Sequence, residues 1–542
     1  MKRKALSVML IASMTAAMLS ACGSSDNGSN ATPAATPATE ESTTTDDTAA
    51  AETESEAPAA ADLDLSERVD LVFYVMGDAP ADEQAVEDAL NEILLEKCNA
   101  TVDFQFSTWT DFQQKYSLEI TSGNADLIYI ANWLNYGQLA SSGAFEELDG
   151  LLDTVAPDLK AAIGDNALNM CSVNGCVYAI PNTWSEYVSP GIKYREDLRK
   201  KYDLPVPDSL ENFEAYLLGI KENEPNQGLL TVTTEESQDL FTGFDAAWIF
   251  NLKYPWVYRN GLPYGLAADY DTPDQVYDYW WSDDFVEDVK LLKKWADLGF
   301  WSKSALSDTN DSEAYKNGLC VAEIAGQNPN KQITAISDFS KDHPDWESAY
   351  YAYGETTGVI YPGHATQNGT AIVRGCKNPE RALKVLETLM LDKEANDICQ
   401  YGIEGTHYEV VDGIYNNLST DFPYEGFNTW GLRNGDYKLP QSTDVELQKM
   451  FDKYAELGEK TKFPNVNIYD GFSEDYEAYQ AERTAVSNVI KQYLAPLQAG
   501  QVSDVDAAVE EFRQKLTDAG IEACREGFKE QWQTYCDTYG YH

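Results

Sequence analysis

Val69-Asp70-Leu71-Val72-Phe73-Tyr74-Val75-Met76-Gly77-Asp78-Ala79-Pro80 opens as a run of β-prone, mostly apolar residues and stops at a Gly-Asp-Ala-Pro turn. Directly after it, Val86, Leu90, Ile93, Leu94 and Leu95 recur at spacings of three and four, the period of an amphipathic helix. A second apolar run, Ala100 to Phe106, leads to Trp109-Thr110-Asp111-Phe112 and another helical stretch ending near Ser122-Gly123. A third, Asp126-Leu127-Ile128-Tyr129-Ile130, stops at Asn132-Trp133. Strands alternating with helices of this length form parallel βαβ units, so the fold class is α/β. Ligands of such sheets lie beyond the carboxyl ends of the strands, where this chain places Asp78, Trp109 and Asn132-Trp133.

Toward the N-terminus, Lys2-Arg3-Lys4 precede an apolar segment from Ala5 to Leu19, too short for a comfortable membrane span. Leu19-Ser20-Ala21-Cys22-Gly23 resembles a bacterial lipobox. The resemblance implies a signal peptide over 1–21, cleavage before Cys22, and lipid carried on that cysteine. Residues 24 to 62 are almost wholly Ser, Thr, Ala, Pro, Asp, Asn, Gly and Glu, which cannot bury enough apolar surface to offset the entropy of ordering. Residues 22–65 are therefore expected to be a lipidated cysteine followed by a disordered linker. No second apolar run of the ~20 residues needed to cross a bilayer follows, so the folded body is expected to be tethered outside the cytoplasm.

The 542 residues exceed one ordinary domain and predict two or more. A formal net charge of −51 opposes binding to nucleic acid, whose phosphates it repels. The chain holds 12 Trp and 33 Tyr, more flat surface than a core readily explains. Beyond Cys22, eight cysteines leave disulfide pairing open; Cys171 and Cys176 flank an Asn174-Gly175 turn and are the first pair to test. There is no CxxC pair or histidine cluster, and neither a metal centre nor a cofactor is expected. Asp269-Tyr270-Asp271 and Asp308-Thr309-Asn310 begin like calcium loops but lack the Gly at the sixth position and the Glu at the twelfth. No GxSxG or HExxH motif is present.

Further along, Cys171 to Pro181 reads as a hairpin turning at Asn174-Gly175. Asn182-Thr183-Trp184-Ser185-Glu186-Tyr187 begins an irregular connection, and Gly191 to Arg195 is a fresh strand. Asp208 or Ser209 caps a helix running to about Lys221. From Gln238 to Ser307 the chain is dense in aromatics; the spacing of Phe285, Val289, Leu291, Leu292 and Trp295 makes Trp295 a core residue.

The order of lipobox, βαβ start ending in Ser-Gly-Asn-Ala-Asp, Gly143-Ala144-Phe145-Glu146-Glu147-Leu148, the Asn-Gly-Cys-Val-Tyr-Ala-Ile-Pro hairpin and Tyr194-Arg195-Glu196-Asp197-Leu198 resembles the extracellular solute-binding lipoproteins of ABC importers, in particular the large carbohydrate-binding family (family 1 type). Lys377-Asn378-Pro379-Glu380-Arg381-Ala382, Tyr401-Gly402-Ile403-Glu404-Gly405-Thr406-His407-Tyr408 and the stretch from Arg483 to Leu516 agree with it, so that the resemblance covers most of residues 66 to 535. It implies a two-lobed periplasmic-binding-protein-like fold (type II) with a cleft between the lobes. The expected division is 66–182 in lobe one, 183–353 in lobe two, 354–398 returning to lobe one, and 399–542 as the remainder of lobe two with the closing helices.

The resemblance implies no covalent chemistry: a monomer grips a carbohydrate, most simply an oligosaccharide, and presents it to a membrane permease. Sugars need aromatic rings for their C–H faces and planar amide, carboxylate or guanidinium partners for their hydroxyls. Trp109, Asn132, Trp133 and Tyr136 follow predicted strands, and Trp184, Glu186 and Tyr187 stand where the chain should cross between lobes. Gln327, Gln367, Trp430 and Phe472 occupy further loops expected at the cleft or its rim. A second reading gives the same fold a peptide or other organic solute. A third is an anchored surface glycosidase or esterase, and a fourth a purely adhesive lipoprotein.

Overall fold

The structure, a computed structural model, describes residues 63–108, 111–184, 186–234, 240–308 and 313–542. The leader, Cys22, the linker up to residue 62, and Trp109 lie outside the described residues. β1 (Val69–Met76) runs parallel to β2 (Ala100–Ser107) on one side and β3 (Leu127–Ile130) on the other. The helix Glu83–Cys98 connects the first two, and its apolar stripe, Val86, Leu90, Leu94 and Cys98, is fully buried in one core with Phe73, Val102 and Phe104. Asn99, at φ 44°, ends that helix in the left-handed region, which asparagine tolerates better than most residues.

β4 (Ser172–Val173) and β5 (Cys176–Val177) form the expected hairpin, with positive φ at both Asn174 and Gly175 as a primed turn requires. The thiols flanking it do not pair. Cys171 follows the helix Asp165–Met170 with its side chain in the core, Cys176 stays near the surface, and all the described cysteines are free. β6 (Ile180–Pro181) then takes the edge of the first sheet.

β7 (Gly191–Arg195), β8 (Ala322–Glu323) and β9 (Ser348–Ala352) build a second, antiparallel sheet in the order β8-β7-β9. Gly191 is sterically required in it, since a Cβ there would lie 2.3 Å from the Tyr351 carbonyl oxygen. The helix Leu210–Asn223 packs beside this sheet, capped by Ser209, whose hydroxyl accepts the Asn212 N–H at 3.2 Å. Trp295 is in the core as its spacing predicts, with its indole N–H donating to Glu214 at 2.6 Å.

β10 (Gly369–Ile372) returns to the first sheet between β3 and β6, antiparallel to both, giving the order β2-β1-β3-β10-β6. β11 (Tyr408–Val411) and β12 (Ile414–Asn417) make a separate hairpin.

Two expectations are corrected. Residues from 399 onward were expected in lobe two, but Phe422, Phe427 and Leu432 are wholly buried in the lobe-one core, where Phe427 stacks on Phe104 at 4.5 Å. The chain leaves that lobe only after Leu432, and the helix Asp444–Gly458 then packs Tyr454 against Ala352 and Ile360. The aromatic load, expected to exceed what a core explains, is largely core. Trp256, Tyr264, Tyr270 and Trp280 are buried among side chains of the helices Val505–Asp518 and Ile521–Tyr539, with the Trp532 N–H closing on the Pro273 carbonyl at 2.7 Å.

Because Phe427 fills the lobe-one core, Phe427→Ala should lower unfolding free energy by about 3–5 kcal/mol, read by urea titration. A loss below about 1 kcal/mol would contradict this packing.

Candidate ligand-binding site

Three segments pass between the two sheets: residues 182–190, 353–368, and the stretch following Leu432. They are hydrogen-bonded to one another. The Asn182 N–H and side-chain amide both donate to the Asn368 carbonyl, at 3.1 and 3.0 Å. The Thr183 N–H meets the Arg433 carbonyl at 3.1 Å, and the Gly363 N–H meets the Glu186 carbonyl at 2.8 Å.

At their centre Arg433 donates to both oxygens of Glu425 at 2.6 and 2.7 Å and to Glu186 at 2.5 Å. Glu186 also accepts the side-chain amide of Asn330, from lobe two, at 2.9 Å. Burial works against the guanidinium's charge, but Glu425 and Glu186 outweigh it and hold its pKa above the usual arginine value. Arg433 and Lys438 both lie over the Trp184 ring, at 4.6 and 4.8 Å, and the buried Trp184 indole N–H has no hydrogen-bond partner among the described residues.

On the lobe-one side, β3 ends at Tyr129 and Ile130. Tyr129 is buried and donates its hydroxyl to the Asn368 side chain at 2.6 Å. Trp133 lies 6.3 Å from its ring and Trp430 meets it edge-on at 5.7 Å. Trp133 is 38% exposed, a large ring held at a strand's carboxyl end. Asn132 turns its side-chain oxygen back to the Trp133 N–H at 2.8 Å.

On the lobe-two side, a cavity of about 70 Å³ lies against the crossing segments, lined in part by Tyr258, Arg259, Tyr361, Gln367, Asn467 and Asp470. Tyr258 stacks on Tyr469 at 4.0 Å, with Arg259 5.0 Å from its ring, and Asn467 donates to the Asp470 carboxylate at 2.7 Å. Burial, reinforced by Asp470, raises the Tyr361 hydroxyl pKa, so it remains a neutral donor. Gln367 joins the two sides, since its carbonyl also accepts from Tyr129 at 3.4 Å. The lobes touch beyond the cavity, where the Tyr476 hydroxyl donates to Gln138 and Ser473 abuts Gly137. Ligand pockets usually enclose about 300–1,000 Å³, so the cavity as it stands is smaller than an oligosaccharide requires.

The expected site residues therefore separate. Trp133 and Trp430 gather around Tyr129 with Asn132 beside Trp133, and Gln367 lines the cavity. Trp184 and Glu186 build the crossing itself. Gln327 lies beside it, its amide N–H on the Ala325 carbonyl at 2.9 Å and its side-chain oxygen buried without a partner among the described residues. Tyr187 is packed between Phe451 and Tyr454 and donates to Asn465 at 3.1 Å, which makes it a support of the crossing.

Tyr136 is corrected outright. It is buried, stacks on Phe145 and gives its hydroxyl to the Cys171 carbonyl at 2.6 Å, because the helix Tyr136–Ser141 turns that face into the core. Phe472 lies away from the cavity, among Phe528, Trp532 and Tyr535. Sequence reading missed Arg259, Tyr361 and Asp470. The one available signal was the polar loop preceding the closing helices, in which Asp470 stands.

His364 belongs to the second crossing segment, its Nδ1 accepting the Thr366 N–H at 3.3 Å. Burial lowers its pKa from the ordinary 6.5, with Asp470 opposing. The unfolded chain therefore takes up a proton that the folded chain resists, and stability present above pH 6.5 is lost as pH falls through the lower folded value. His364→Asn keeps an acceptor for Thr366 but removes the titration. Between about pH 7 and pH 5, wild type should lose more stability in urea titrations than the variant; equal losses would contradict a buried neutral ring.

The family described as bacterial extracellular solute-binding protein matches residues 78–396, and a domain of unknown function, DUF3502, matches residues 468–537. A carbohydrate ABC transporter substrate-binding protein of Streptococcus pneumoniae serotype 4 is 26% identical over 477 residues, covering 84% of this chain and 89% of that one. Lipoprotein LipO of Bacillus subtilis is 23% identical over 424 residues, covering 74% and 82%. The crystal structure of the N-glycan transport solute-binding protein NgtS of Streptococcus pneumoniae with Man1GlcNAc superposes at a TM-score of 0.63 and 21% identity, over 87% of this chain and all of that one. That likeness establishes the fold, and the first match spans more than half of the chain. The chain belongs to the bacterial extracellular solute-binding protein family, with the two-lobed α/β fold of an ABC importer's receptor.

Proposed function

We propose that the protein captures an oligosaccharide between its lobes and delivers it to the permease of an ABC importer, binding without chemical change. The observation that carries this reading is the cavity at the lobe junction, where the Tyr258 and Tyr361 rings stand beside the amides of Gln367 and Asn467. Rings that pack on C–H faces, next to groups that both donate and accept, match a sugar's two kinds of surface. Trp133 and Trp430 add rings from the facing lobe. The pneumococcal relative's description as a carbohydrate receptor, and a neighbour crystallised with Man1GlcNAc, support the same substrate class. Binding would then favour closure, because only the closed form touches the sugar from both sides.

One observation favours a second reading. Arg259 and Asp470 line the same cavity, and a fixed pair of opposite charges suits the ends of a zwitterion such as a short peptide.

We also infer that Cys22 carries the membrane-anchoring lipid, a reading supported by the lipoprotein relative. Cys22→Ala should move the protein from membranes to the culture fluid, and unchanged membrane retention would oppose the inference.

A thermal-shift panel of Man1GlcNAc, Man5GlcNAc, kestose and short peptides tests the substrate class. A ligand at a hundred times its dissociation constant adds about 2.7 kcal/mol of stability. At least one saccharide should shift the transition, and Trp133→Ala should weaken that response without unfolding the protein. A shift with peptides alone would transfer the site to the second reading.

A further inference from the structure

The last helix carries a feature that the cleft does not use. Along Ile521–Tyr539 runs a shallow groove of about 370 Å³, within the range of ligand sites, lined by Phe472, Ser473, Glu530, Thr534, Tyr535 and Tyr539 among others. Tyr539 is 62% exposed, yet its ring is held in place, 4.9 Å from Tyr535 and stacked on Tyr541 at 5.9 Å. Tyr535 is fixed in turn by its hydroxyl bond to the Ile468 carbonyl at 2.7 Å and by Phe472 at 5.5 Å. A ring already immobilised by its neighbours costs little further entropy when something packs on it.

Gln531 is held by Asp475, Tyr479 and Gly527, but other polar groups around the rings are available. The Glu530 carboxylate and the Ser473 hydroxyl make no hydrogen bond or ion pair among the described residues. Thr534 and Thr538 donate their hydroxyl protons to the helix at 2.9 and 2.7 Å, which leaves their oxygens as acceptors. Among the described residues no basic side chain lines the groove, which disfavours phosphates and other anions. Rings, hydroxyls and one carboxylate are instead the chemistry that recognises a neutral saccharide.

The groove lies next to the cleft: Asp470 lines the cavity and Phe472, two residues on, lines the groove. Gly471 lies between the two, since a Cβ on it would be 2.6 Å from the Tyr535 hydroxyl and 3.4 Å from the His364 ring. His364 opens the turn Ala365–Gln367, whose last residue lines the cavity, and Ser473 touches Gly137 of lobe one.

We propose that this groove is a distal subsite, outside the cleft, for the far sugar units of an oligosaccharide whose near end is held between the lobes. The inference rests on the carbohydrate reading of the cleft and adds a length preference to it. Short saccharides bind in the cleft alone, and longer ones gain stacking on Tyr539 and Tyr535 and hydrogen bonds to Glu530, Ser473 and Thr538.

Calorimetry of the whole protein with Man1GlcNAc and Man5GlcNAc, and with fructan oligomers of increasing length starting from kestose, tests it. Tyr539→Ala should weaken the longest member of a binding series about tenfold while changing the shortest less than twofold, and Glu530→Gln should act in the same direction. Exposed Tyr539 can be truncated without touching the core, so folding does not confound the comparison. Equal effects on long and short members, or none on either, would overturn the subsite and leave the receptor reading intact. If no saccharide binds the wild-type protein, the receptor reading fails and the subsite fails with it.

Discussion

A buried guanidinium sets the geometry at the junction of the lobes. Arg433 holds Glu425 from lobe one and Glu186 from a crossing segment, and Glu186 reaches Asn330 in lobe two. Taking such charges out of water is costly, and the arrangement persists only because hydrogen bonds satisfy each of them. Removing one partner would strand a charge in a dry site. The crossing segments are therefore held to one another at this point.

Everything placed at the cavity depends on that crossing. Gln367 and His364 stand at the end of one crossing segment, and Arg259 and Asp470 are brought up from the aromatic part of lobe two. Trp133 and Trp430 meet around Tyr129 because β3 and β10 are neighbours and Trp430 follows the lobe-one segment through Phe427. Only a few of the chain's acidic residues, Asp470, Glu186 and Glu425 among them, take part in this grouping. Acidic charge on the surface favours solubility.

The first sheet was legible because its strands and the Glu83–Cys98 helix follow simple periods, and the Asn174-Gly175 hairpin because its turn chemistry is local. The segment from Phe422 to Leu432 was not, since it buries aromatic side chains without helical or strand spacing and its partner, Phe104, lies some three hundred residues earlier. Tyr136 misled for a related reason. It follows a strand end, as a ligand residue should, but one turn of helix rotates it into the core beside Phe145. Arg259 and Tyr361 could not be singled out, because their neighbourhood exists only once three distant segments cross. Sequence order carried the family and the architecture; the cavity is a product of tertiary contact.

Co-crystallisation of the protein with its tightest-binding small ligand tests the central claim most directly. The account predicts a saccharide between the lobes, packed on Tyr258 or Tyr361 and hydrogen-bonded to Gln367, with Trp133 closing from the opposite side. A peptide with its termini held by Arg259 and Asp470, or a ligand bound elsewhere while the cavity stays closed, would contradict it.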